Sequence, residues 1–250
     1  MAGAASGEKG IDPMHQFEIT RIVPLDFGGI DASFTNSSLW MVIAAGAIMF
    51  FLTASMSGRA LVPGRLQSVA EMSYEFVAGM VRDNVGTAGM QFFPFIFTLF
   101  MFVLFCTMLG MIPYSFTVTS HIVVTFALAL AIFLVVHEVG LIKHGLGYLK
   151  MFVPSGIPVF LMPLLVVIEV ISYLSRPVSL SVRLFANMLA GHTMLKVFGG
   201  FVVMMGVFGV VPFVFMIALT GLEVLIAFLQ AYVFAILTCI YLNDALHMHH

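Results

Sequence analysis

Hydrophobic and polar positions fall into long, unequal blocks along this chain. Leu39 to Met56 is an 18-residue apolar run inside an uncharged stretch from Ala32 to Gly58, close to the ~20 residues a helix needs to cross a bilayer. The next block, Leu66 to Asp83, alternates with helical period. At 100° per residue Leu66, Val69, Met72, Phe76, Val77, Met80 and Val81 share one face, and Gln67, Ser68, Glu71, Glu75 and Arg82 share the other. That pattern predicts an amphipathic helix lying in the interface or against other spans.

From Asn84 to His137 there is no Asp, Glu, Lys or Arg. Pro113, Tyr114 and the Ser/Thr cluster at 115–120 divide this stretch into two predicted spans, about Phe92 to Ile112 and Thr119 to Ile142. A polar break at Lys143 to Gly156 follows. Two very long apolar segments close the chain, Ile157 to Phe198 and Val211 to Tyr241, joined by the Gly-rich stretch Gly199 to Gly209. Wholly helical, the first would measure roughly 60 Å, about twice a ~30 Å hydrocarbon core. It must tilt steeply, kink at Pro163 or Pro177, or break, and a strongly tilted helical hairpin is the preferred reading.

The predicted fold is therefore an all-α integral membrane protein with five transmembrane helices and one interfacial amphipathic helix. Residues 1–38 read as an exposed N-terminal segment, with seven charges up to Asp31 and no apolar region of signal-peptide type. Residues 39–250 read as one membrane domain, and 157–243 as the tilted hairpin that carries the ion pathway. Composition agrees: 61% of the 250 residues are hydrophobic and 9% charged, against roughly 25% charged in soluble domains, and mean hydropathy is +1.11. A net charge of −2 excludes the basic footprint of a nucleic-acid binder. Five crossings place the termini on opposite sides. Arg59, Arg65, Arg82, Lys143 and Lys150 on one side outweigh Lys9 and Arg21 on the other, which favours an outer N-terminus and an inner C-terminus.

Charge is scarce, so its exceptions carry information. Glu169, Arg176, Arg183, Lys196 and Glu223 all fall within the predicted hairpin, each costing about 2.5–3.5 kcal/mol near a bilayer centre and less near an interface. Snorkelling accounts for Lys196 as readily as function does, and for Arg176 less readily. Arg183 sits mid-segment among Val182, Leu184 and Phe185 and stays charged. Glu169 shares its face but lies 14 residues, roughly 21 Å, away, so the partner of Arg183 is expected to be water in a cavity or a carboxylate on another chain. An antiparallel register that sets Arg183 level with Gln230 also sets His192 level with Glu223. A titratable His/Glu pair has the composition of a proton relay; a static hydrogen bond between the helices is the competing reading.

Other candidates are weak. Cys106 and Cys239 lie in apolar runs without metal-ligand spacing and read as packing residues. His121 and His137 fall on nearly opposite faces of one helix, which argues against stacked haem ligation, and the remaining histidines read as solvated. No cofactor or metal is expected. A self-contained transporter would show hydropathy repeats, and an electron-transfer anchor would show histidine pairs on facing helices or cysteine clusters.

The run Ser175-Arg-Pro-Val-Ser-Leu-Ser-Val-Arg183-Leu-Phe-Ala-Asn187-Met-Leu-Ala-Gly-His192 closely resembles subunit a of F-type ATP synthase. Glu169 upstream, Glu223 through Gln230 to Tyr241 downstream, and Gly58-Arg-Ala-Leu-Val-Pro-Gly-Arg65 extend the resemblance over most of the chain. Asp12-Pro-Met-His-Gln-Phe-Glu-Ile19 resembles alphaproteobacterial members, which implies a bacterial inner membrane. The resemblance implies a non-catalytic proton-channel stator in the Fo sector, working with the ring of subunit c, b-type peripheral stalk subunits and the other synthase subunits. It makes Arg183 the stator arginine facing the ring carboxylates, and Asn187 and Gln230 its polar neighbours. Glu169 and Ser172 fall on the cytoplasmic proton path, His192 and Glu223 on the outer one. Many bacterial relatives carry Glu and His at the latter two positions in the opposite order, and the swapped order resembles the mitochondrial and alphaproteobacterial branch. Ala186 stands where many relatives have Gly.

Overall fold

The structure, a computed structural model, describes residues 19–24, 26–27, 30–31, 33–57, 63–112, 115–145, 147–148 and 160–247. Six helices carry the architecture: α1 (Asn36–Met56), α2 (Arg65–Val85), α3 (Phe93–Gly110), α4 (Ile122–His144), α5 (Met162–Met204) and α6 (Val210–Leu246). Ahead of them, β1 (Arg21–Val23) pairs antiparallel with β4 (Phe34–Thr35), and β2 (Asp26–Phe27) with β3 (Ile30–Asp31). All helices except α2 belong to stretches long and apolar enough to cross a membrane, five in total among the described residues.

Local chemistry explains the helix ends. The Thr35 side chain accepts from the Ser38 backbone N–H at 3.4 Å, satisfying one of the donors that a helix start leaves open in α1. Pro94 lies in the first turn of α3, where a missing N–H costs nothing. Between α5 and α6 the chain reverses at Gly206, whose φ of 55° suits a residue without Cβ.

Three features of the structure sharpen the sequence reading. α5 runs unbroken for 43 residues through Pro177, about 64 Å at 1.5 Å per residue, and α6 for 37 residues, about 56 Å. Helices of this length fit a ~30 Å core only by strong tilt. α2 buries Val77, Ala78, Met80, Val81 and Val85 but leaves Leu66, Val69 and Met72 exposed. Its C-terminal half packs against the bundle, and the apolar stripe of its N-terminal half turns to the surroundings. The Ser/Thr segment between α3 and α4 turns inward, with Ser115, Thr117, Thr119 and Ser120 all buried.

α6 is the central element, packed against α2, α3, α4 and α5. Where it meets α2 and α3 an aromatic cluster forms: Phe76 lies 5.8 Å from Phe100, 5.7 Å from Phe228 and 5.7 Å from Tyr232 between ring centres. α1 stands outside this core and meets α3 through Phe51 and Phe105 at 5.8 Å.

Candidate functional site in the α5–α6 hairpin

The buried residues of α5, among them Tyr173, Pro177, Leu184, Met188 and His192, recur at three- and four-residue intervals, one stripe of a helix. α6 presents Ala227, Ala231 and Ala235, each buried and one turn apart. Small residues at this spacing let backbones come close and leave room for polar side chains between helices.

His192 and Glu223 meet there. Nδ1 of His192 lies 2.5 Å from Oε1 of Glu223, and the two residues are only 8% and 4% exposed. Gly191 makes the approach possible, because a Cβ there would stand 2.9 Å from Glu223 Oε1. The imidazole is held from two further sides: Nε2 is 2.8 Å from the Gly110 carbonyl at the end of α3, and Nδ1 is 3.1 Å from the Met188 carbonyl. Every partner is an oxygen, so Nε2 donates to Gly110. The next proton has two places to reside, on Nδ1 beside a carboxylate or on Glu223 beside a neutral imidazole. The Nδ1–Oε1 contact is a close ion-pair approach and not an aligned hydrogen bond; neither Glu223 oxygen has an aligned donor among the described residues. Acid and base thus stand within proton-transfer reach while the carboxyl keeps capacity for a further donor.

The two hairpin arginines differ sharply. Arg176 stands 3.5 Å from Asp244 Oδ2 near the end of α6, with its guanidinium 4.2 Å from the Tyr173 ring centre and 5.0 Å from that of Tyr241. It is both paired and stacked on aromatic faces. Arg183 is exposed, and no hydrogen bond or ion pair reaches it among the described residues. Val178 and Val182 beside it are 48% and 42% exposed, and Ser179, one turn away, is exposed as well. An exposed permanent cation in a membrane-crossing helix needs either water or an anion from outside the chain.

The remaining sequence candidates divide between the faces. Gln230 is buried on α6, with its amide oxygen lacking a partner among the described residues. No hydrogen bond joins it to Arg183 among the described residues. On α5, Ser172 is exposed, and Glu169 and Asn187 are half-buried. Among the described residues, no three His, Cys, Asp or Glu side chains gather as metal ligands, and Cys106 and Cys239 are buried and unbridged.

Sequence reasoning missed Asp244 and the Gly110 carbonyl. Asp244 lay one residue beyond the predicted hairpin, and the register that levels Arg183 with Gln230 sets Arg176 several residues short of it. A backbone carbonyl leaves no trace in side-chain pattern.

A family model described as ATP synthase A chain matches residues 38–243. The protein named ATP synthase subunit a from Chelativorans sp. (strain BNC1) is 62% identical over 246 residues, covering 96% of this chain and 99% of the relative. Its namesake from Pelagibacter ubique (strain HTCC1062) is 62% identical with the same coverage, and that from Rhizobium meliloti (strain 1021) is 60% identical over 94% of this chain and 97% of its own. On a match of this extent, this multi-pass membrane chain belongs to the family of ATP synthase subunit a.

Proposed function

We propose that this chain is the proton-channel stator of the Fo sector, and that Arg183 is the group through which it acts on the rotating ring of subunit c. One observation carries the reading: of the two arginines in the hairpin, Arg176 is neutralised by Asp244, and Arg183 stands exposed and without an anion among the described residues. A ring carboxylate passing this face would supply the missing charge.

The mechanism follows from charge. A proton entering through an outer half-channel by way of His192 and Glu223 neutralises a ring carboxylate, which can then travel through lipid. After nearly a full turn the carboxyl meets Arg183, whose fixed charge favours its ionisation. The proton leaves by an inner half-channel near Glu169 and Ser172. The same cation repels a proton moving directly between the half-channels. Asn187 and Gln230 keep polar contacts near the arginine. Proton flow is thereby coupled to rotation and to ATP synthesis on other subunits.

The wider setting belongs to this proposal. The protein would sit in a bacterial inner membrane with its N-terminus in the periplasm and its C-terminus in the cytoplasm, as the Lys/Arg distribution favours. Its partners would be the c-ring and the b-type stalk subunits. Replacing Arg183 by Ala in the assembled complex is expected to abolish ATP-driven proton pumping into inverted vesicles; pumping at the normal rate would overturn the assignment.

A further inference from the structure

The segment between α3 and α4 holds more buried polar chemistry than a connection requires. Thr117 is fully buried and Thr119 and Ser120 are each 3% exposed. Part of this polarity is internally satisfied: the Ser120 hydroxyl donates to the Thr117 carbonyl at 2.6 Å, and the Thr117 hydroxyl to the Gly110 carbonyl at 3.2 Å. That carbonyl is the one that accepts from His192 Nε2 at 2.8 Å. The segment is therefore wired to the His192/Glu223 pair through a single shared acceptor.

Two atoms in it are not satisfied. Thr119 Oγ1 and His121 Nε2 are buried and have no hydrogen-bonding partner among the described residues. Leaving such an atom bare is costly, and where no protein group reaches it an ordered water does. The His121 ring is fixed by stacking on Phe116, with ring centres 5.0 Å apart and planes 14° from parallel. One turn further, the Thr125 hydroxyl lies 3.3 Å from that of Ser181 on α5. Burial pushes the His121 imidazole below its ordinary pKa, so near neutral pH it offers one donor and one acceptor. Alternation of the spans puts this segment at the same end of the bundle as the α5–α6 turn.

We propose that residues 115–121 form a hydrogen-bonded, water-carrying inlet to the His192/Glu223 pair, in which Thr119 and His121 hold the water that delivers the proton. This rests on the outer-path reading of that pair. A proton arriving from the outer end passes along water held by His121 Nε2 and Thr119 Oγ1 and ends on Glu223 or on His192 Nδ1. Water left behind takes up the next proton, so charge balances at each passage. The Gly110 carbonyl positions the imidazole and carries no proton.

The test uses the complete synthase in inverted vesicles, with ATP-driven acidification normalised to the amount of intact complex. Thr119→Val keeps shape and removes the hydroxyl; Thr119→Ser restores it. His121→Phe keeps the stacked ring and removes both nitrogens. Expected are a severalfold loss for Thr119→Val and for His121→Phe, near-normal rates for Thr119→Ser, and a loss for Glu223→Gln in parallel. Normal rates for the Val and Phe variants beside a slow Glu223→Gln would overturn the inlet and leave the pair standing. A normal Glu223→Gln would overturn the pair reading itself and the inlet with it. A Thr119→Ser as slow as Thr119→Val would make the position a packing site and overturn the inlet. Should Thr119→Val fail to assemble, Thr119→Ala against Thr119→Ser gives the same comparison.

Discussion

A missing methyl group decides whether His192 and Glu223 can meet. Gly191 precedes the histidine, and a Cβ built on it would lie 2.9 Å from Glu223 Oε1 and 3.2 Å from Cδ. Gly191→Ala must therefore shift the Glu223 carboxyl, the far end of a flexible side chain, from its place beside His192. The expected result is an intact complex whose proton pumping in vesicles falls severalfold. An unchanged rate would mean that Glu223 retreats without consequence. At this scale the sequence was partly readable. An antiparallel register that levels Arg183 with Gln230 pointed to the His/Glu level, because a constant rise per residue fixes which side chains share a depth. The Arg176–Asp244 pair escaped because its acid lies beyond the end of the apolar run, and apolar runs were the only guide to where the hairpin stops.

Packing between elements depends on how closely α6 lets its neighbours approach. Ala227, Ala231 and Ala235 are all fully buried on one side of it. A large side chain has no space there: Ala231→Phe is expected to lower the yield of assembled complex severalfold, measured by copurification of the other synthase subunits. Gly46 in α1 is the contrasting case, with nothing within 4 Å of a built Cβ. Gly46→Ala should leave that yield unchanged, and gains about 1 kcal/mol or less of helix propensity. Existence of the elements was legible because spans of lipid-crossing length have no competing explanation in a chain this apolar. The inward fold of 115–121 was not legible. Pro113, Tyr114 and the Ser/Thr cluster marked only a division between two spans, the second starting at Thr119, and periodicity carries no information about a segment without period. Continuity of α5 through Pro177 was equally hidden, since a proline alone does not tell a bend from a break.

The whole molecule leaves much of its hydrophobic surface uncovered. Val203, Val207 and Phe208 around the hairpin turn are 80%, 89% and 76% exposed, and Leu222 and Leu225 on α6 are 51% and 56% exposed. Lipid satisfies such a surface, and so do other ATP synthase subunits, with which this family associates. The central place of α6 also has a consequence in time. Four helices rest on an element that is made after them, so during synthesis those earlier helices form before their common support exists. α2 must wait without its packing against α6, and α4 without the Lys143 bond to the Leu246 carbonyl at 3.2 Å. A chain ended at residue 209 should insert its earlier spans and then be cleared by membrane quality control, its lifetime in a pulse-chase far shorter than that of the full chain. α6 thus acts as a closing element: only once it has been made does the bundle have a reason to close.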